Sequence, residues 1–285
     1  MQESSIAYIN GEFKPLSDVH ISPLDRGFIF GDGVYEVIPV YAGHAFRLDA
    51  HLKRLDNSLN AIRLPNPHSP EEWQNIIQAL IDKNAPGDRS LYLQITRGVA
   101  DRDHAFPKTS NTTVFAMSKP LPATTQAPVK AITLEDIRWQ WCHIKATALL
   151  GNLLLRQQAV DAGCDEAILL RDGQLTEGAA SNVFIVKNNS ILTPINNNKI
   201  LPGITRDIVI ELAQKNGLSI SEQSIQETLL NEADEIWLTS STKEIAPVIE
   251  LNNKTIGDGK AGPVCRQLQA LFNSFKTQRN AGVAV

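Results

Sequence analysis

Lys119-Pro120-Leu121-Pro122-Ala123-Thr124-Thr125-Gln126-Ala127-Pro128 puts three of the chain's 15 prolines into ten residues. The stretch has neither helical nor strand periodicity and reads as a linker. It divides the 285 residues into an N-terminal domain (1–119), the linker (120–128) and a C-terminal domain (129–285). That agrees with roughly 150 residues per domain.

On the N-terminal side, Ile6–Ile9 and Glu12–Lys14 flank Asn10-Gly11, the signature of a tight hairpin. Val34–Tyr41, Ser90–Thr96 and Thr112–Met117 are rich in β-branched and aromatic residues and read as strands. Leu52, Leu55, Leu59 and Ile62 form one stripe of a helix capped by Asp49 and stopped by Pro65 and Pro67. A second helix is expected over Glu71–Lys83.

On the C-terminal side, a strand is expected near Val129–Thr133 and a helix from Thr147, its cap, to Ala162, closed by Gly163. Hairpins are expected at Asp172-Gly173 and Asn188-Asn189. Further along come a helix over Thr205–Asn216, a strand over Glu235–Thr239 and a helix over Val264–Phe275. Both halves mix strands with helices. The fold class is therefore α/β (or α+β) in two domains, with a binding cleft expected between them.

Composition narrows the function classes. Hydrophobic residues make up 42% of the chain, enough for a substantial core. With 27 Lys+Arg against 31 Asp+Glu, the net charge of −4 lacks the basic field that nucleic-acid binding needs. No apolar run approaches the roughly 20 residues of a membrane span. Met1–Ser5 shows no signal-peptide pattern, so a cytoplasmic location is expected. The cysteines, Cys142, Cys164 and Cys265, are odd in number and lack C-x-x-C spacing, so neither a disulfide framework nor a metal site is expected.

Five segments could carry chemistry. Lys145 sits between an apparent strand and a helix cap, where the positive helix end would depress its pKa. It reads equally as a solvated lysine. Leu175–Asn182 places Glu177 at a strand end before small residues, or is a polar turn. Leu201–Asp207 sets Gly203 before a helix whose first polar residue is Thr205, either an anion site or a plain cap. Thr239-Ser240-Ser241-Thr242 could add hydroxyls to the same anion. Arg97–His104 places Arg102 and His104 two apart in a loop, able to clamp a carboxylate or merely to be solvated. The fifth segment, Asp25–Glu36, contains Gly31-Asp32-Gly33 but is no dinucleotide fingerprint: the third glycine is missing and no helix is expected after it. His51 reads as a surface or packing histidine.

GDGVYE, HLKRL, RGVADRDH, IKATALLGN, LTEGAASNVF, GITRD and TSSTKEI follow one another along the chain. Together they resemble the class IV (fold type IV) pyridoxal-phosphate aminotransferases, and most of all the D-amino-acid branch. The resemblance spans about Ile6 to Phe272. It implies a fold type IV enzyme with a smaller N-terminal α/β domain and a larger, β-barrel-like C-terminal domain. Lys145 would carry pyridoxal 5′-phosphate (PLP) and move the proton between the substrate Cα and the cofactor C4′. Glu177 would face the pyridine nitrogen and Leu201 would pack on the ring. Arg54, Ile204, Thr205, Ser240 and Ser241 would hold the phosphate.

Tyr35, Arg102 and His104 would trap the substrate carboxylate, the Arg102/His104 loop reaching in from the neighbouring subunit of a homodimer. The implied reaction is ping-pong transamination between D-amino acids (D-alanine, D-glutamate) and 2-oxo acids (2-oxoglutarate, pyruvate). Branched-chain aminotransferases, (R)-amine transaminases and aminodeoxychorismate lyases share the fold and are the alternatives, with a catalytically idle PLP-binding protein more distant. The Arg-x-His pair separates the D-amino-acid branch from them. Ala146-Thr147-Ala148 stands where members of that family often have Ser-Leu-Asn, and Ala179-Ala180 where they have a hydroxyl-rich run.

Overall fold

A computed structural model describes residues 5–109, 111–121 and 126–280. The chain forms two compact units. The first comprises Met1–Leu121 with Ile144–Ala148; the second comprises Pro122–His143 with Leu149–Val285. Residues 122–125 of the expected linker lie outside the described residues.

The first unit contains β1 (Ile6–Ile9), β2 (Glu12–Pro15), α1 (Arg26–Phe30), β3 (Gly33–Tyr41), β4 (His44–Ala45), α2 (Leu48–Ala61), α3 (Pro70–Asp82), β5 (Arg89–Thr96) and β6 (Thr113–Pro120). Its six strands form one antiparallel sheet in the order β2-β1-β6-β5-β3-β4. Alternation along β3 turns Val34, Ile38 and Val40 to one face. There they join Leu55 and Leu59 of α2 and Trp73 of α3 in a single core. Ser69 starts α3 with a capping box: its hydroxyl accepts the Glu72 N–H, and the Glu72 carboxylate accepts the Ser69 N–H.

One local expectation is corrected here, and two features add to the expected pattern. Asp49 is not the cap of α2, which starts after Arg47 in a left-handed conformation; Asp49 lies in the first turn instead. A short helix, α1, occupies the Asp25–Glu36 segment. Asp25 caps it by accepting the Gly27 N–H, and Gly31, at φ +66°, closes it. Finally, Ile144–Ala148 packs with the first unit although it lies beyond the linker. Ile144 and Ala146 are buried in the first core, and Ala146 bridges Val34 of β3.

The second unit contains β7 (Val129–Glu135), α4 (Leu150–Asp161), β8 (Glu166–Arg171), β9 (Gln174–Gly178), β10 (Asn182–Lys187), β11 (Ser190–Thr193), α5 (Ile204–Lys215), β12 (Ile220–Glu222), α6 (Glu227–Asn231), β13 (Glu235–Ser240), β14 (Glu244–Leu251), β15 (Lys254–Thr255) and α7 (Pro263–Asn280). The strands make a nine-stranded mixed sheet in the order β12-β11-β10-β13-β14-β7-β8-β9, with β15 on β14. One core gathers Ile168, Val183, Ile185, Ile236, Leu238 and Val248. Helices α5 and α7 pack against each other and on β13. The carboxylate of Glu235 caps α7, accepting from the N–H groups of Val264 and Cys265 at 3.0 and 2.9 Å. Cys142, Cys164 and Cys265 are all free and buried. Among the described residues, no helix is long and apolar enough to cross a membrane.

Candidate active site

In the first unit, Lys145 is held by its backbone from two sides. Its carbonyl accepts the Tyr35 N–H of β3 at 2.9 Å, and its own N–H donates to Ser58 Oγ of α2 at 3.2 Å. The side chain then lies over Tyr35, with Nζ 4.0 Å from the ring centroid. Tyr35 in turn stacks on Tyr92 at 5.6 Å, and burial pushes the Tyr92 phenol up to about 12.

The helix expected to begin at Thr147 begins only at Leu150. Thr147 does not cap it: its hydroxyl donates to the carbonyls of Gly31 and Gly33 at 2.9 and 3.2 Å. The residues that hold Lys145 within the first unit are Tyr35 of β3 and Ser58 of α2.

Arg54 lies on the buried side of α2 and grips Glu36 of β3. Its Nε and Nη2 donate to the two Glu36 carboxylate oxygens at 2.8 and 2.7 Å, and His51 Nδ1 joins at 2.7 Å. All three side chains are buried. Burial alone would push the Glu36 carboxyl up; Arg54 and His51 more than offset it and hold it well below the usual carboxylate range. Burial lowers the His51 imidazole, with Glu36 pulling the other way. An ionised carboxylate only accepts, so the His51 Nδ1 is the donor. Sequence reasoning took Arg54 but missed Glu36 and His51. The signal was present: an acid stands among Val34, Ile38 and Val40 on the apolar face of a strand, and His51 and Arg54 stand three apart on a helix.

Arg102 and His104 are exposed in the loop between β5 and β6. Both lean on Phe30 of α1: the Arg102 guanidinium lies 5.4 Å and the His104 ring 5.6 Å from its centroid.

In the second unit, Glu177 lies near the end of β9 and is buried. It accepts from Arg138 Nη1 at 2.6 Å, Asn182 Nδ2 at 3.1 Å and the Leu201 N–H at 3.0 Å. Arg138 is shared. Its Nε and Nη2 donate to Asp136 at 2.9 Å, and Arg171 pairs with the same carboxylate at 3.0 Å. Burial pushes the Glu177 carboxyl up to about 7, against the pull of Arg138 and the Leu201 N–H and helped by the Asp136 charge. Asp136 and Arg138 were missed in the sequence. A charged pair two residues apart after a strand resembles any solvated turn.

Ile204 and Thr205 form the first turn of α5 and are buried. Gly203, the N-cap, supplies no side-chain cap, and a Cβ there would collide with the Asn182 carboxamide. Ser240 ends β13, where its hydroxyl accepts the Lys243 N–H at 3.1 Å. The neighbouring Thr239 Oγ1 is buried with no hydrogen-bond partner among the described residues. An uncapped helix start and an orphaned hydroxyl suit an anion.

The chain matches the family described as Amino-transferase class IV over residues 33–251. It is 38% identical over 278 residues to the D-alanine aminotransferase of Staphylococcus haemolyticus, covering 96% of this chain and 99% of that protein. It is 41% identical over 273 residues to that of Bacillus licheniformis, covering 94% and 96%. In structure it is similar to the branched-chain amino acid aminotransferase of Escherichia coli, with a TM-score of 0.90, 28% identity and coverage of 95% and 94%. The branched-chain amino acid aminotransferase of Thermoproteus uzoniensis, solved with norvaline, gives a TM-score of 0.88, 25% identity and coverage of 95% and 94%. A family match over most of the length, together with near-complete overlap with these enzymes, shows that the chain belongs to the class IV aminotransferases.

Proposed function

We propose that the protein is a PLP-dependent transaminase that moves the amino group of a D-amino acid, D-alanine foremost, to a 2-oxo acid such as 2-oxoglutarate. The observation that carries this reading is Lys145: a primary amine fixed through its backbone to β3 and α2 and aimed over Tyr35. The residues fit the cofactor. Glu177 has only a share of one guanidinium, so its ionised form gains from a further N–H⁺ partner of the kind a pyridine nitrogen offers. The open start of α5 and the Thr239 hydroxyl fit a phosphate.

PLP, when bound, supplies an aldehyde that takes up the amino group and a ring that accepts electrons. Lys145 would hold the cofactor through Nζ and would move the proton between the substrate Cα and the cofactor C4′. Glu177 would keep the pyridine nitrogen protonated. Leu201 would pack against the ring. Arg54, the first turn of α5 at Ile204 and Thr205, and the hydroxyls of Ser240 and Ser241 hold the phosphate.

Tyr35, Arg102 and His104 bind the substrate carboxylate, the Arg102/His104 loop working in the site of a second copy of the chain. Exposed apolar side chains beside that loop support a homodimer: Phe28 is 76% exposed, and Leu24 and Val99 are about half exposed. The protein acts in the cytoplasm.

Identity of 38–41% to D-alanine aminotransferases, against 25–28% to the branched-chain enzymes above, favours the D-amino-acid reading. Absorption spectroscopy tests it. Purified protein given PLP should be yellow, bleach with D-alanine and not with L-alanine or L-leucine. Lys145→Ala should bind PLP without turning over. Colourless protein after PLP addition, or bleaching by L-leucine alone, overturns the reading.

A further inference from the structure

The Asp25–Glu36 segment carries more charge than Lys145, Tyr35 and Glu36 account for. Arg26 and Asp32, at the two ends of this turn, are both largely buried, and so is Arg97 at the end of β5. Arg26 Nε and Arg97 Nε donate to the same oxygen of Asp32, each at 2.8 Å, and Arg97 Nη2 reaches the other oxygen at 3.1 Å. One carboxylate thus fixes two guanidinium planes.

Each guanidinium has donors left over: those of Arg26 go to one loop, and those of Arg97 to the end of α2. Arg26 Nη1 donates to the carbonyls of Asp103 and Ala105 at 2.6 and 3.3 Å, the residues on either side of His104. Arg97 donates to the carbonyls of Ile62 and Arg63 at 2.7 and 3.3 Å, and its guanidinium lies 3.7 Å from the centroid of Phe106, which closes the loop. The Arg26 guanidinium also lies 4.8 Å from the Phe30 ring on which Arg102 and His104 rest.

The base of the cluster is rigid. The Arg26 N–H donates to the Gly98 carbonyl at 2.9 Å, and the Asp25 carboxylate takes the hydroxyls of Thr96 and Thr113. Gly98 holds φ +86°, and a Cβ there would strike the Asn111 carbonyl. An exposed pair of functional side chains therefore stands on a buried, bidentate and nearly fully bonded support.

We infer that Arg26, Asp32 and Arg97 are positioning residues that set the Arg102/His104 loop, and through it the affinity for the carboxylate shared by the amino-acid and 2-oxo-acid substrates. The inference rests on the assignment of Arg102 and His104 to that carboxylate. The cluster touches no substrate; it acts by presenting the two side chains that do, in whichever subunit's site the loop works. A lysine at position 26 keeps the charge beside Asp32 but cannot reach both carboxylate and carbonyls with a fixed fork.

The test is a double-mutant cycle on the PLP-loaded enzyme with D-alanine and 2-oxoglutarate. Arg26→Lys should raise KM for both substrates about tenfold, the scale of one lost charge-assisted hydrogen bond, and change kcat less than about threefold. The cofactor absorbance should stay as in the parent. In an Arg102→Ala background the Arg26→Lys step should leave KM unchanged. Phe106→Ala removes the ring contact with Arg97 and keeps every charged member of the cluster, so it remains informative if Arg26→Lys does not fold. It should raise both KM values about threefold, again only when Arg102 is present. Equal KM effects in both backgrounds, or wild-type KM in the folded variants while Arg102→Ala alone raises it, overturn this inference and leave the carboxylate assignment standing. No KM change in Arg102→Ala overturns both.

Discussion

Replacing Glu36 with alanine should destabilise the first unit by about 3–5 kcal/mol. The carboxylate is fully buried and accepts three bonds, at 2.8, 2.7 and 2.7 Å, from Arg54 and His51. Its removal takes a bidentate carboxylate away from a buried guanidinium, on a helix that also supplies Leu55 and Leu59 to the core. For a unit of this size, that corresponds to a fall in Tm on the order of 10–20 °C. Thermal and urea unfolding followed by far-UV circular dichroism measure it.

The partner variant Arg54→Ala should also destabilise, and Glu36→Ala added to it should cost at least about 2 kcal/mol less than in the parent, because the guanidinium that the carboxylate binds is then gone. The pH dependence has a definite sign. A carboxyl depressed in the folded state contributes stability that is present above about pH 4.5 and is lost as pH falls below it. Glu36→Gln should therefore flatten the acid limb of the stability profile. A loss under about 1 kcal/mol for Glu36→Ala, or strict additivity with Arg54→Ala, refutes the buried-pair account.

Glu177 should show the opposite sign in the cofactor-free protein. Its folded value is raised to about 7, so its contribution is present below about pH 4.5 and lost as pH rises through about 7. Glu177→Gln should remove a decline of about 3 kcal/mol across that window in urea unfolding, at roughly 1.4 kcal/mol per pH unit; an unchanged profile refutes the raised value. Ser69→Ala should cost about 1 kcal/mol, seen as a lower urea midpoint at unchanged slope, because it removes the hydroxyl that accepts the Glu72 N–H at the start of α3.

What could be read without coordinates was local. The apolar stripe of α2, the α5 helix closed by Gly217 and the hairpin at Asp172-Gly173 depend on residues within a few positions of each other, and these elements stand within a few residues of where periodicity puts them. Thr147 was misread because a threonine before a helical pattern is an ordinary cap. Its hydroxyl instead bonds carbonyls more than 110 positions earlier in the chain, which no local pattern encodes.

The same distance limit hid the partners of the site. Arg54, Glu177 and Arg102 stand in motifs that the sequence displays. Glu36 and Arg138, which bind the Arg54 guanidinium and the Glu177 carboxylate, are 18 and 39 positions from the groups they bond. Helix α1 escaped because five residues are too few to display a period.

The two buried Arg–carboxylate pairs differ in a way that geometry explains. Glu36 receives a whole guanidinium fork plus an imidazole. Its charge is locked, and a locked charge suits a group whose task is to keep an arginine extended in one place. Glu177 receives one arm of Arg138, whose other two donors are committed to Asp136. Asp136 has Arg138 and Arg171 together and is held low, while its charge pushes Glu177 the other way. A carboxylate left near neutrality by such a division can change its charge when a cation approaches, at little cost to the surrounding network. Giving Glu177 an arginine of its own would stabilise the unit more and remove that response. Under the proposed function, the sharing of Arg138 is what would let Glu177 answer a bound pyridine nitrogen.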